Sequence, residues 1–236
     1  MIKASASLTS RSSATEVDTF LAQLKSMPVV SPKQTPGRLL FGLDATASRE
    51  ASWDIARHIQ ADMFKTAAAL GGLTMQVCHY RGLAEFHGTR WVVDSDILLK
   101  EMAQVECLGG QTQILRVLEH ALAEARLNGV DALVFVGDCV EEDIDRLCRT
   151  AGELGLIGVR AFMFLEGRNP EAERAFRQIA RLTRGACCRF DAGSARQLRE
   201  LLTAVATYAA GGMEALRKIS HDPGGLLSQL TNPPPA

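Results

Sequence analysis

Two stretches of this chain are apolar almost without a break: Leu39, Leu40, Phe41 and Leu43 near the front, and the run ALVFVG at 132–137. A strand with one wet face alternates apolar and polar residues, so unbroken runs of this kind belong to strands covered on both sides, the usual state of a parallel sheet sandwiched by helices. Around them the chain alternates strand-like segments with helical periodicities. The expected fold is therefore α/β: a doubly wound, mostly parallel, six-stranded sheet with one antiparallel edge strand and helices on both faces.

The segments that carry this expectation can be placed in order. Residues 1–13 are rich in Ser, Thr and Ala and read as a disordered tail. Residues 15–27 form a short amphipathic helix, with Val17, Phe20, Leu21 and Leu24 on one side, that docks either on the domain or on a partner. Residues 29–37 read as a linker through Pro32 and Pro36.

After the first strand, a helix is expected over 55–70, closed by Gly71 and Gly72. Strands over 73–80 and 85–93 form a hairpin about residues 81–84. Helices follow over 97–105 and 112–127, the second with Leu115, Leu118, Leu122 and Ala125 inward. The strand at 132–137 leads to a helix over 141–154, a strand over 159–165, a helix over 171–183, a strand over 186–190 and a helix over 195–210. The domain thus spans 38–210, and a short helix over 213–219 and a mobile tail occupy 211–236.

Composition narrows the function classes. A net charge of -1 gives no basic footprint, so neither nucleic acid nor an anionic membrane surface is an expected partner. The six cysteines include no C-x-x-C pair and read as buried free thiols in a reducing compartment. Without a signal-like N-terminus or an apolar span of about 18 residues, a cytoplasmic location is expected.

The chemistry concentrates where strands end. Asp44, Thr46 and Ser48 follow the first strand at alternate positions, Thr112 lies in the loop after Gly109 and Gly110, and Asp138 follows the strand at 132–137. All are oxygen donors at the carboxyl ends of strands, where open α/β sheets place their ligands. Two carboxylates and three hydroxyls suit a hard cation such as Mg²⁺, with Mn²⁺ as an alternative. Taken singly, each residue is as readily an N-cap or a loop acceptor; it is the ordered set of five that points to a metal.

This pattern resembles the von Willebrand factor A domain family and its metal-ion-dependent adhesion site. The family's motif is D-x-S-x-S after the first strand, a threonine in a later loop and an aspartate after the fourth strand, matched here by Asp44, Thr46 and Ser48, by Thr112 and by Asp138. The resemblance covers about residues 38–208. It implies that Thr46, Ser48 and Thr112 bind the ion, that Asp44 and Asp138 bind it directly or through water, and that a partner's Asp or Glu fills the open position. Thr46 replaces a serine but keeps the hydroxyl, and Cys139 stands where the family often has glycine.

The implied function is a non-enzymatic, metal-dependent protein-binding module. By analogy with intracellular bacterial relatives it would be an adaptor beside an ATPase or chaperone-type machine. The alternative is a metal-dependent phosphohydrolase, although an aspartyl-nucleophile enzyme would carry D-x-D-x-T where Thr46 stands here, and no phosphate-binding glycine loop is present. A third reading keeps the fold as a scaffold without metal. Trp53 and a stripe of Arg174, Arg177, Arg181 and Arg184 are candidate partner contacts, against the plainer readings of core packing and a solvated helix face. Glu141, Glu142 and Asp143 either widen an acidic rim or simply favour a helix N-terminus. The five histidines show neither helical pairing nor zinc-finger spacing and read as surface or core residues.

Overall fold

The structure is a computed structural model that describes residues 19–20, 22–24, 37–50, 73–190, 204–205 and 209. The expected tail at 1–13, the linker at 29–36, the helix over 55–70 with Trp53 and His58 around it, most of the helix over 195–210, and the C-terminal segment with His221 lie outside the described residues.

Strands β1 (Gly37–Asp44), β2 (Leu73–Arg81), β3 (Glu85–Gly88), β4 (Ala132–Gly137), β5 (Arg160–Glu166) and β6 (Ala186–Phe190) form one six-stranded sheet in the order β3-β2-β1-β4-β5-β6. Every pairing is parallel except β2 with β3, which sits at the edge as an antiparallel strand. The α/β class, strand number and single antiparallel edge match the expectation. β3 is shorter than expected because the hydroxyl of Thr89 accepts from the N–H of Val77, a place the backbone ladder would otherwise use. Pairing resumes only as an isolated bridge between Met75 and Val92.

Period-two alternation sorts the strand residues to two cores. Leu39, Phe41, Val134, Phe162 and Phe164 face one side, where they meet Leu98 and Met102 of α1 (Ser95–Ala103). Leu40, Leu133, Phe135 and Met163 face the other, covered by α2 (Ile114–Leu127), α3 (Ile144–Leu156) and α4 (Pro170–Leu182). Gly42 permits the close approach of α2, since a Cβ there would stand 2.6 Å from Val117 Cγ1. The inward stripe of α2 is Ile114, Val117, Leu118, Ala121 and Leu122, rotated from the expected set so that Leu115 and Ala125 are only half-buried.

The amphipathic N-terminal segment docks on the domain. Phe20 and Leu24 are fully buried in the first core, and the Phe20 ring lies 5.5 Å from that of Phe164 and 6.3 Å from that of Phe162. Ala204, Val205 and Ala209 are helical and bury in the same core, so that face is covered by segments from both ends of the described chain. Among the described residues no helix is long and apolar enough to cross a membrane.

Truncating a fully buried aromatic removes its transfer energy and leaves a cavity, at about 3–5 kcal/mol. Phe20→Ala is therefore expected to lower urea-unfolding stability by that amount, whereas Leu156→Ala, at a position 88% exposed, should stay within about 0.5 kcal/mol of the wild type. Equal effects of the two substitutions would show that the N-terminal segment contributes no core.

Candidate metal site at the strand ends

The strand order places β1 between β2 and β4, so the chain leaves β1 in one direction and returns on its other side at β4. That reversal is a topological switch point, where the diverging loops open a crevice at the carboxyl ends of the strands. Asp44 is the last residue of β1, and Asp138 follows immediately on Gly137, the last residue of β4.

Local geometry accounts for the first three residues of the set. The carboxylate of Asp44 turns back to accept from the N–H of Thr46 through Oδ1 at 2.8 Å. Thr46 precedes a short 3₁₀ turn, Ala47–Arg49, yet its hydroxyl caps no N–H of that turn. It lies instead 3.1 Å from the hydroxyl of Ser48. The ordinary structural role of a threonine at such a place is thus not the one it plays, and its side chain stays beside the Asp44 carboxylate. Thr46 is buried and Ser48 is exposed.

The loop that carries Thr112 is fastened at several points. Leu108 pairs with the end of β1, its N–H donating to Ala45 O, and Gln111 N–H donates to Gly82 O. Gly110 lies so close to the β2–β3 turn that a Cβ there would come within 1.9 Å of Gly82 O. Thr112 then exchanges two hydrogen bonds with Glu141, donating its N–H to the carboxylate and accepting from the Glu141 N–H at its hydroxyl, each at 2.9 Å. Its oxygen keeps a second lone pair.

Glu142 completes the tie between these two loops. Its carboxylate accepts from the N–H groups of Ile114 and Leu115 at 2.7 and 2.8 Å, capping a helix that is not its own. α3 begins only after Asp143, which caps it by accepting from Asp145 and Arg146. The expected helix start at 141 is therefore three residues early, because Glu141 and Glu142 serve α2 across the crevice.

Neither a protein-family model nor a curated protein matches the sequence. Solved structures do: a von Willebrand factor type A protein from Catenulispora acidiphila aligns with a TM-score of 0.60 at 16% identity, over 73% of this chain and 43% of that one. The SpRpn10 VWA domain aligns with a TM-score of 0.57 at 11% identity, over 71% of this chain and 94% of that one. An aerotolerance-related membrane protein from Bacteroides fragilis gives a TM-score of 0.55 at 13% identity, over 70% and 98%. The fold is that of a von Willebrand factor A domain. This chain spans less than half the length of the Catenulispora protein.

Within this von Willebrand A fold, two oxygens at the switch point stand out electrostatically. Asp44 Oδ2 and Asp138 Oδ1 are both buried and have no hydrogen-bond partner. Burial raises the Asp44 carboxyl above its ordinary value, a shift opposed by Thr46 and the neighbouring Tyr80 phenol and reinforced by the charge of Asp138. Burial likewise pushes the Tyr80 phenol well up, with the Asp44 charge adding to it. Among the described residues no three of His, Cys, Asp and Glu gather as a metal group, and the donors here are two carboxylates with hydroxyls.

Nothing in the sequence pattern marks Arg49, yet it is one of the largest fully buried side chains. It extends from the 3₁₀ turn to Glu166 at the end of β5, 2.9 Å away, and so ties the first loop past the end of β4. A lone arginine among small residues, RE after DATAS, is the only trace of it in the sequence.

The other candidate contacts lie apart from this crevice. Arg174, Arg177 and Arg181 are exposed on α4, which packs over β5 and β6. Arg177 is engaged by Glu173 at 2.7 and 3.0 Å, a solvated i,i+4 pair, and Arg184 lies beyond the helix with a φ of 54°. None of the six cysteines is in a disulfide; Cys78 and Cys188 are buried as expected, whereas the other four are only half-buried.

Losing a cross-loop cap leaves helix N–H groups unpaired, at about 1–2 kcal/mol. Glu142→Ala is expected to cost that much in urea unfolding, with Glu142→Gln recovering part of it. No loss in either variant would show that the two loops hold their positions independently.

Proposed function

We propose that this domain holds a divalent cation, Mg²⁺ or Mn²⁺, at the crevice between β1 and β4 and binds a protein partner through that partner's Asp or Glu. The observation that carries the reading is the pair of buried, unpartnered carboxylate oxygens, Asp44 Oδ2 and Asp138 Oδ1, on neighbouring strand ends. Buried charge without a partner is costly, and a cation is the ligand that relieves it. Oxygen donors of this kind fit Mg²⁺ and Mn²⁺ rather than softer metals.

In this reading Thr46, Ser48 and Thr112 offer hydroxyl oxygens, and Asp44 and Asp138 offer carboxylates directly or through water. The bound ion would supply a charge-assisted anchor for an incoming carboxylate. The chain's own part is to hold the donors in place: Thr46 N–H orients Asp44, Glu141 orients Thr112, and the Arg49–Glu166 pair fixes the first loop. The rim sets which partner fits. Leu83 and Leu108, 77% and 45% exposed beside the β2–β3 turn, add apolar surface to it.

The proposed activity is recognition rather than catalysis. Thr46 occupies the place where an aspartyl phosphohydrolase has its second carboxylate, and its hydroxyl is paired with that of Ser48. Six cysteines outside any disulfide fit a reducing, cytoplasmic setting, and an adaptor role beside an ATPase or chaperone-type machine is the setting that the family resemblance suggests.

A hundredfold excess of metal over its Kd stabilises the native state by about 2.7 kcal/mol, or roughly 5–10 °C in Tm for a chain of this size. Mg²⁺ or Mn²⁺ is expected to raise the Tm of the wild type by that order and to leave Asp44→Asn unmoved. In EDTA the order should reverse: burial penalises the charged Asp44 side chain, so the neutral amide unfolds at the same temperature as the wild type or higher. A metal response retained in Asp44→Asn would overturn the assignment. Metal-dependent release of phosphate from phosphoesters, lost in Asp44→Asn, would replace binding with hydrolysis.

A further inference from the structure

Outside the strand-end site, the edge hairpin brings two histidines together. His79 on β2 and His87 on β3 are register partners across the antiparallel pair, so both side chains lie on one face, with ring centres 5.6 Å apart. They line a cavity of about 270 Å³ between the hairpin and α1. Val77 and Met102 form apolar lining, and Glu101 faces in from α1 with its Oε2 buried and lacking a hydrogen-bond partner. Arg81 also lines the cavity, but its guanidinium is engaged by the Glu85 carboxylate at 2.8 Å and Glu106 O at 3.1 Å.

The geometry points to a second cation site, a two-imidazole seat formed by His79 and His87 for a borderline divalent ion of the zinc or nickel type. Imidazole nitrogens coordinate such ions at about 2.0–2.1 Å, which puts each ring centre roughly 3 Å from the metal, so rings 5.6 Å apart can share one ion after a small side-chain adjustment. Burial, with repulsion from His87 and Arg81, holds His79 down to about 4, so at neutral pH its imidazole is uncharged and keeps the lone pair that a metal needs.

Among the described residues no three of His, Cys, Asp and Glu converge into a closed group. Two imidazoles therefore hold the ion and water completes its shell, with Glu101 elsewhere on the cavity wall. Nitrogen donors select against Mg²⁺, so this seat and the oxygen-lined crevice take different metals. Tyr80 and His79 are successive on β2 and so point to opposite faces, which separates the two sites although both lie near the same strand end. An ion here would clamp the short edge strand β3 to β2.

The test is a Zn²⁺ titration of the full chain, read at the imidazole nitrogens by long-range ¹H–¹⁵N NMR, because the free thiols also bind zinc and would confuse a bulk measurement. His79 and His87 are expected to shift together and to saturate with one ion. In His87→Ala, a change at an exposed position, the His79 response should weaken by roughly tenfold or more in affinity. Asp44→Ala should leave both responses intact. Zinc shifts confined to other histidines, or a His79 response of unchanged affinity in His87→Ala, would overturn the site.

Discussion

Parallel pairing of β1 with β4 sets two strand ends side by side and, with them, two carboxylates. Leu43 lies opposite Val136, so Asp44 and Asp138 emerge at neighbouring positions of a crevice that the reversal of strand order holds open. Because both strands are buried on both faces, neither end can swing away to separate the charges. Each carboxylate keeps one buried oxygen without a hydrogen-bond partner, with the Tyr80 phenol beside that of Asp44. The fold imposes a local penalty here, and a cation is the simplest species that removes it.

The surrounding bonds read as a framework for that arrangement. Glu141 and Glu142 reach from the β4 loop to Thr112 and to the N-terminus of α2, while Leu108 and Gly110 fasten the loop that carries Thr112 to β1 and to the β2–β3 turn. Arg49 spans from the end of β1 to the end of β5. Each strand-end loop is thus tied to another, so the side chains at the strand ends are held in place by the fold itself. Such preorganisation lowers the cost of binding.

Much of this was legible in the sequence, for identifiable reasons. The apolar runs and the alternation of periods specify a doubly wound sheet, and β4 and β6 have the bounds that the sequence predicts. Asp44, Thr46, Ser48 and Asp138 stand after strands as the sequence places them, while Thr112 sits in the loop ahead of α2. What the sequence hid is long-range. Glu142 caps a helix 28 residues earlier, and Thr89 interrupts a ladder with its side chain, which shortens β3. Arg49 looks like a surface residue until Glu166 is placed beside it, and the two histidines of the edge hairpin meet only through strand register. Local propensity carries no record of such partners.

We propose the crevice between β1 and β4 as a cation site, and its occupancy can be seen directly. Anomalous scattering from crystals grown with Mn²⁺ tests it most directly, since it locates the ion without reference to stability or partner. One strong peak is expected, enclosed by Asp44, Thr46, Ser48, Thr112 and Asp138 at the roughly 2 Å ligand distances of a hard divalent ion. Density that places Mn²⁺ elsewhere, with that crevice filled by water alone, would contradict it.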